Sequence, residues 1–216
     1  TESRLDFLIH NACQTVRRPP GYYKEMAEQE NPAQLPPKLQ ALLGEGTAER
    51  ALAVHRTPNN VAQLSQLDLL GEGDQSHLFP EGIKDGEGQQ LDLRDKNSWR
   101  MELNEVPTVE MLEVQLVNSI APFVLNSKLK PLMLAVESRD KHIVNVSAME
   151  GQFNRTLKTT RHPHTNMAKA ALNMMTRTSA ADYVKDGIHM NSVDTGWVTD
   201  EDHFEKAVEK EEAQRF

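Results

Sequence analysis

The stretch that decides the fold runs from His142 to Gly151 and reads His-Ile-Val-Asn-Val-Ser-Ala-Met-Glu-Gly. Its first six residues form a short apolar run that is typical of a buried β-strand, and a small polar segment ends it. A long helix is predicted from Pro163, since proline fits a first helical turn, and Gly187 closes that helix. Ile188 to Val193 then predicts another short strand.

Two more elements of the same kind precede this unit. Leu5 to Ile9 is an apolar run broken by Asp6, which predicts a buried strand. From Pro107 to about Pro131, apolar residues recur at helical spacing, and Thr108 is a suitable N-cap. Strands that alternate with helices predict right-handed crossovers and a parallel sheet, so the predicted fold class is α/β.

Each of the two long helices is predicted to bury an apolar face in the core. The face of the first helix comprises Val109, Leu112, Leu116, Ile120, Phe123, Val124 and Leu129. The face of the second helix comprises Met167, Ala170, Ala171, Met174 and Met175. Because these residues recur at helical spacing, we expect the methionines to be core residues rather than part of a ligand site.

Residues 31–106 mix proline, glycine, asparagine and acidic residues without clear periodicity. They predict a long looped insertion within a single domain that spans residues 1–216. Residues 22–30 are expected to be helical, and residues 200–215 are expected to form an acidic amphipathic helix. The glycines of the insertion do not follow a strand at phosphate-binding spacing, so they are not interpreted as a nucleotide loop.

Composition excludes several kinds of protein. The formal net charge of −8 argues against sequence-independent binding of nucleic acid, which needs clustered Lys and Arg. Cys13 is the single cysteine, which excludes an internal disulfide framework and a cysteine-rich zinc site, and no metal site is expected. No apolar run approaches a membrane span, and the first residues lack the layout of a signal peptide. We therefore expect a cytoplasmic protein without a membrane or nucleic-acid partner.

Five short segments, taken in order, resemble the short-chain dehydrogenase/reductase (SDR) family from its fourth strand onward. They are His10-Asn11-Ala12-Cys13, the helix residue Asn118, Asn145 to Gly151, Thr165 to Lys169, and Asn191 to Gly196. The resemblance implies an incomplete Rossmann-like three-layer sandwich with a parallel sheet that lacks the first three strands. It also implies an NAD(P)-dependent oxidoreductase that acts on a carbonyl or an alcohol.

The resemblance assigns a set of residues to the cofactor, NAD or NADP. The set is Asn11, Ala12, Lys169, Asp194, Gly196, Trp197 and Val198. The family's glycine-rich phosphate loop, G-x-x-x-G-x-G, has no counterpart in these 216 residues. Because such a loop and its helix N-terminus hold the pyrophosphate, we expect this chain alone to bind the cofactor weakly or not at all. Capping of the strand end is the other interpretation of Asn11.

The family's chemistry depends on four residue types, and two of them are replaced here. By the resemblance, Asn118 is the asparagine that holds a relay water, and Lys169 is the lysine that lowers the pKa of the tyrosine and binds the nicotinamide ribose. Thr165 occupies the position of the proton-transferring tyrosine, and Ala148 that of the serine that holds the substrate oxygen. An aliphatic hydroxyl is far too weak an acid to replace a phenol. His164, beside the tyrosine position, is a candidate substitute acid.

Each assignment has a structural alternative. Lys169 could be a solvated helix residue, and Asn118 could be a buried asparagine that bonds the backbone. The chain as a whole is expected to be an impaired or inactive SDR-like oxidoreductase. The alternative is a non-catalytic interaction or structural subunit, because the residues at the tyrosine and serine positions are both replaced. The strand at Leu5 to Ile9 would be an apolar sheet edge, so we expect another subunit or missing N-terminal sequence to cover it.

Overall fold

A computed structural model describes residues 3–23, 36–40, 68–71, 73, 75–85, 88–154 and 158–196. The chain divides into two compact units. The first comprises Thr1–Arg17 and Lys96–Asp202, and the second comprises Arg18–Asp95 and His203–Phe216. The helix expected at residues 200–215, and all but the first two residues of the one expected at 22–30, lie outside the described residues. The bounds of the looped insertion and the single-domain organisation stay predictions.

In the described part of the first unit, three parallel strands form a sheet in the order β1-β2-β3. β1 spans Phe7–His10, β2 spans Lys141–Ser147 and β3 spans Ile188–Asp194. The register places Leu8 beside Ile143, and Ile143 beside Met190. The predicted α/β class with a parallel sheet is confirmed, and all three predicted strands are present to within two residues at either end.

Helices connect these strands. A short helix, α1, spans Pro37–Gln40 in the second unit. In the first unit, α2 spans Thr108–Gln115 and continues through a π-helical segment, Leu116–Ile120, into α3, Ala121–Leu134. α4 spans Pro163–Tyr183 and starts at the predicted proline. Single 3₁₀ turns lie at Ser76–Leu78, Ser98–Arg100, Met149–Gly151 and Val184–Asp186.

α2, the π-helical segment and α3 form one continuous helix, and both ends of this helix differ from the predicted ends. Pro107, rather than Thr108, is the N-cap of α2, because Pro107 has extended backbone angles and Thr108 is already helical. The helix also continues past Pro131, which lies inside α3.

Gly187 ends α4 as predicted, after the intervening 3₁₀ turn. It has a φ of 70°, in the left-handed region that glycine adopts without strain. A Cβ atom at this position would also lie 2.6 Å from the Cα of Arg139. Both the backbone angle and the close approach therefore require glycine.

One face of the sheet, called here the covered face, packs against helices. Its core comprises Met133 of α3 with Ile143, Ile188 and Met190 of the strands, and the partly buried Leu5, Leu8, Ala180 and Tyr183 pack against it. Phe7 and Ile9 of β1 point the other way and are 62% and 63% exposed. This second face, with Val193 of β3, is called the open face.

The apolar stripes of both long helices were predicted to lie in the core, and this prediction is wrong for most of their large side chains. Leu112, Leu116, Ile120, Phe123 and Val124 are exposed, and so are Met167 and Met174. The buried residues of α4 are instead His164, Thr165, Ala168, Lys169, Leu172 and Thr176. Helical periodicity identifies an apolar stripe, but the flank that meets the sheet needs small side chains for close approach and polar ones for internal hydrogen bonds.

The exposed apolar stripe has a second consequence. Within the described residues, Thr108–Leu134 is a helix long and apolar enough to cross a membrane by length and composition. Core helices of other proteins meet the same criterion, so the criterion is weak evidence. The absence of a membrane partner stays a prediction.

Arginines, an aspartate and aromatic rings stabilise the second unit. Asp92 pairs with Arg94 at 2.7 Å and with Arg18 at 3.1 Å. The Arg18 guanidinium lies 5.2 Å from the centre of the Tyr22 ring, and that of Arg94 lies 5.5 Å from the centre of the Phe79 ring. Such contacts contribute about 1 kcal/mol each when partly buried. They hold together a region whose described residues contain little regular secondary structure.

Candidate functional site

The candidate site lies where the carboxyl ends of the parallel strands meet, the usual place for a ligand in an open α/β sheet. Asn11 and Ala12 follow β1 and are exposed. Ala148 follows β2 in an extended conformation and is half-buried. Asp194 ends β3, and its Oδ1 accepts a hydrogen bond of 3.1 Å from the backbone N–H of Gly196. Trp197 and Val198 lie outside the described residues.

Asn118 is committed to the backbone of the segment that follows β1. Its Nδ2 donates to the carbonyl of Gln14 at 2.9 Å, and its Oδ1 accepts from the Gln14 N–H at 2.7 Å. The side chain is buried at the centre of the π-helical segment. π-Helical turns are frequent at functional sites, because they leave backbone groups outside the regular helical ladder. Each polar atom of the side chain thus makes one hydrogen bond to the backbone, as the structural alternative expects, and the relay role stays a prediction.

Lys169 is a buried lysine, with 5% of its surface exposed. Its Nζ donates to the carbonyl of Val146 at 2.9 Å, next to the end of β2. Lys169 is therefore not a solvated helix residue. An ammonium group has three N–H donors, so two remain for other acceptors.

Thr165, which the resemblance places at the position of the family's tyrosine, is a buried residue. Thr165 is 2% exposed, and its Oγ1 has no hydrogen-bond partner among the described residues. The Oγ of Ser147, which is buried on the covered face one residue before Ala148, has none there either. A buried hydroxyl without a partner costs about 1–3 kcal/mol unless water or a ligand satisfies it. The site thus holds two hydroxyl groups with unused hydrogen-bonding capacity.

Gly151 sets the distance between the end of β2 and α4. A Cβ atom there would lie 2.7 Å from the carbonyl carbon of Lys169 and 2.9 Å from the amide nitrogen of Ala170. These are backbone atoms, which cannot rotate away. The glycine of the sequence motif therefore lets α4 lie directly against the turn that follows β2, and this contact places Lys169 and Thr165.

His164 faces α2, about a quarter-turn away from the tyrosine position, as its one-residue offset predicts. Its Nε2 lies 3.3 Å from the Oε1 of Glu110, and both side chains are buried. Burial alone would raise the pKa of Glu110, but interactions with His164 and Ser98 hold this pKa below its usual value. Gln115 Nε2 also donates to the His164 carbonyl at 3.0 Å. His164 thus joins the start of α4 to α2.

Sequence reasoning missed the partners of both histidines beside the tyrosine position. Glu110 of α2 pairs with His164, 54 positions along the chain. His162 stacks on Trp99, with 3.8 Å between ring centroids. No local signal could have found either contact, because both join residues far apart in sequence. Among the described residues, no three His, Cys, Asp or Glu side chains converge on a metal position.

Comparison with known families identifies the class of protein. A family model of short-chain dehydrogenases, described as Enoyl-(Acyl carrier protein) reductase, matches residues 95–215, more than half of the chain. The five motifs and the parallel sheet agree with this match. The chain belongs to the short-chain dehydrogenase/reductase family, and its resemblance is to part of that fold.

Individual relatives are distant or partial. An uncharacterized protein of Acanthamoeba polyphaga mimivirus is 39% identical over 90 residues, which are 42% of this chain and 19% of that protein. The chain thus spans about a fifth of this curated relative.

Many solved structures are similar to this chain, and two of them, each matching about half of it, serve as examples. NADPH-bound carbonyl reductase from chicken fatty liver is 27% identical, with a TM-score of 0.41 over 45% of this chain and 41% of that one. An SDR-family oxidoreductase from Brucella ovis, in complex with a partially ordered NAD, is 28% identical, with a TM-score of 0.41 over 55% and 50% of the two chains.

Proposed function

We propose that the chain is related to NAD(P)-dependent oxidoreductases acting on a carbonyl or alcohol, and that as given it is impaired or inactive. One observation carries this proposal. Lys169 stays buried beside the end of β2, whereas Thr165 and Ala148 stand where the family has its proton donor and its oxygen anchor. The framework of the site is retained, and the groups that would handle the proton and the substrate oxygen are replaced.

Thr165 is a poor substitute for the tyrosine on physical grounds. A nearby ammonium group can bring a phenol with a pKa of about 10 towards neutrality, but an aliphatic hydroxyl is too weak an acid for the same shift to suffice. Thr165 can still hold a hydrogen bond, because its Oγ1 is unpartnered within the described chain. Its expected role is therefore binding rather than proton transfer.

The role of His164 as a substitute acid stays a prediction, and its contact with Glu110 argues against that role. The imidazole is buried against Glu110, on the side of α4 that faces α2. To donate a proton at the tyrosine position it would have to leave this partner. If His164 is the acid, His164→Gln abolishes any reductase activity, whereas Thr165→Val leaves that activity in place.

A nicotinamide cofactor fits only part of the site. Lys169 has two N–H donors beyond its bond to Val146, which suits a ribose, and Asn11 and Ala12 are exposed at the end of β1. If bound, the cofactor would supply the hydride. The chain contains no glycine-rich loop for the pyrophosphate, so we expect binding by this chain alone to be weak or absent.

Nucleotide titration tests this proposal. NADH and NADPH are titrated into the full chain while fluorescence is recorded, with Lys169→Met as the matched variant. The expected result is no saturation at millimolar nucleotide. Saturable micromolar binding that Lys169→Met removes would contradict the proposal. Activity gained by Thr165→Tyr with Ala148→Ser would place the impairment at these two positions.

A non-catalytic interaction or structural subunit is the second candidate, and the exposed apolar surface favours it. Among the described residues β1 lies at the edge of the sheet, Phe7 and Ile9 lie on the open face, and the stripe of α2 and α3 is exposed. Large exposed apolar surfaces mark association sites. We infer that another subunit or further sequence covers the β1 edge, in a cytoplasmic setting. Light scattering on a size-exclusion column tests this, and a monodisperse monomer would count against it.

A further inference from the structure

The start of α4 is held by a pair of stacked rings. His162, the N-cap residue, lies with its ring 3.8 Å from that of Trp99, centroid to centroid, and the two planes differ by 3°. Its φ of 41° is in the left-handed region, and its backbone N–H donates to the carbonyl of Met101 at 2.8 Å. Such angles are uncommon outside glycine and persist only where the surroundings impose them. The stack and the hydrogen bond supply that constraint.

The surroundings of His162 suit a neutral ring. The side chain is buried, its Nδ1 has no partner among the described residues, and it stands at the positive end of the α4 dipole. Glu150, on the turn after β2, would attract an imidazolium, whereas His164 would repel it. Burial is the largest cause that lowers the pKa of His162, from 6.5 to about 4. The charge of Glu150 and a side-chain hydrogen bond with Asn166 oppose this shift, and so does the attraction of an imidazolium for the stacked Trp99 ring.

We propose that the His162–Trp99 stack is a pH-sensitive latch: the neutral imidazole closes the start of α4, and its protonation releases it. The inference stands apart from the oxidoreductase proposal, because it needs neither cofactor nor turnover. The residues that follow the latch include Thr165 and Lys169, so its state determines how firmly the candidate site is fixed. Release is local, because the pairing of His164 with Glu110 still ties the helix to α2.

Tryptophan fluorescence reports on the latch, because Trp99 is one of its two stacked rings. The chain has two tryptophans, Trp99 and Trp197, so a Trp197→Phe background reports on Trp99 alone. As the pH is lowered, we expect the Trp99 emission to shift to longer wavelength when the ring loses its stacked partner and meets water. The midpoint should lie between pH 6.5 and about 4. Far-UV circular dichroism, recorded in parallel, should stay constant through that range.

Two variants make the test specific. His162→Asn keeps a residue that tolerates the left-handed backbone but removes the titrating ring, so the pH-dependent shift should vanish. Glu150→Gln removes an attraction for the imidazolium, so the midpoint should move to lower pH. A shift that persists in His162→Asn, or one that coincides with loss of helical signal, would overturn the proposal.

Hydrogen exchange gives a measure that does not depend on the variants folding. In the unmodified chain, amides in the first turn of α4 should show an opening constant that rises by up to about tenfold for each pH unit between 6.5 and about 4 and then levels off, after correction for intrinsic exchange. Amides in the middle of β2 should show no such dependence. A pH-independent opening constant at the start of α4 would also overturn the latch.

Discussion

The covered and open faces of the sheet carry the same kinds of side chain in different surroundings. Ile143 on β2 is fully buried among residues of α3 and α4, whereas Ile9 on the neighbouring strand is 63% exposed. Alternation along a strand shows which residues share a face, but only what lies against that face decides whether burial follows. An apolar pattern alone is therefore no measure of stability, and the two isoleucines provide a matched pair to test this.

The largest expected effect is on the covered face. Ile143→Ala should lower the free energy of unfolding by about 3 kcal/mol, because it removes a fully buried side chain and leaves a cavity. Chemical denaturation followed by circular dichroism measures this. A cost below about 1 kcal/mol would mean that the covered face is loosely packed. Side chains on the covered and open faces would then contribute similarly to stability, against the expectation.

A somewhat smaller effect is expected where α4 meets the turn after β2. Gly151→Ala should cost about 2 kcal/mol, because the added Cβ would approach backbone atoms of Lys169 and Ala170 to within 3 Å. Gly196→Ala is the control, since nothing lies within 4 Å of its Cβ and only the left-handed backbone, at about 1 kcal/mol, opposes it. Equal costs in the two variants would show that α4 shifts freely.

Sequence reasoning reached the elements of the fold but not the orientation of its helices. β2, β3 and α4 follow from short apolar runs bounded by Pro163 and Gly187, and these local signals are strong. The stripe that includes Leu112 and Met167 was placed in the core, because periodicity gives the spacing of apolar residues and not the side that meets the sheet. That choice depends on tertiary contacts such as the one at Gly151.

The candidate site shows the same division. The resemblance of short motifs led to Lys169 and Asn118. Lys169 bonds the carbonyl of Val146 near the end of β2, and Asn118 bonds the backbone of Gln14, four residues after β1. The roles assigned to both residues stay predictions. The pairing of His164 with Glu110 and the stack of His162 on Trp99 could not be predicted. Each brings together residues from separate elements, and neither pair has a motif that marks it.

The buried carboxylate of Glu110, which lies beside α4, should make stability pH-dependent. Glu110→Gln should cost about 2 kcal/mol at pH 7, because His164 loses its carboxylate partner. The pKa of Glu110 is lowered in the folded state, so the unfolded state binds its proton more readily. The contribution is therefore complete above the ordinary value of 4.5 and is lost as the pH falls through the folded pKa. Unfolding of both proteins at pH 7 and near pH 4 measures this, and a difference that does not shrink in acid would contradict it.

The smallest expected effect completes the comparison. Ile9→Ala should change the free energy of unfolding by less than about 0.5 kcal/mol, because the side chain is already mostly in water and little burial is lost. The same variant should reduce self-association, since it removes apolar surface beside an edge strand. Denaturation and light scattering on one sample separate the two effects. If Ile9→Ala costs as much as Ile143→Ala, then the open face is covered in solution, and the protein that unfolds is an assembly rather than this chain alone.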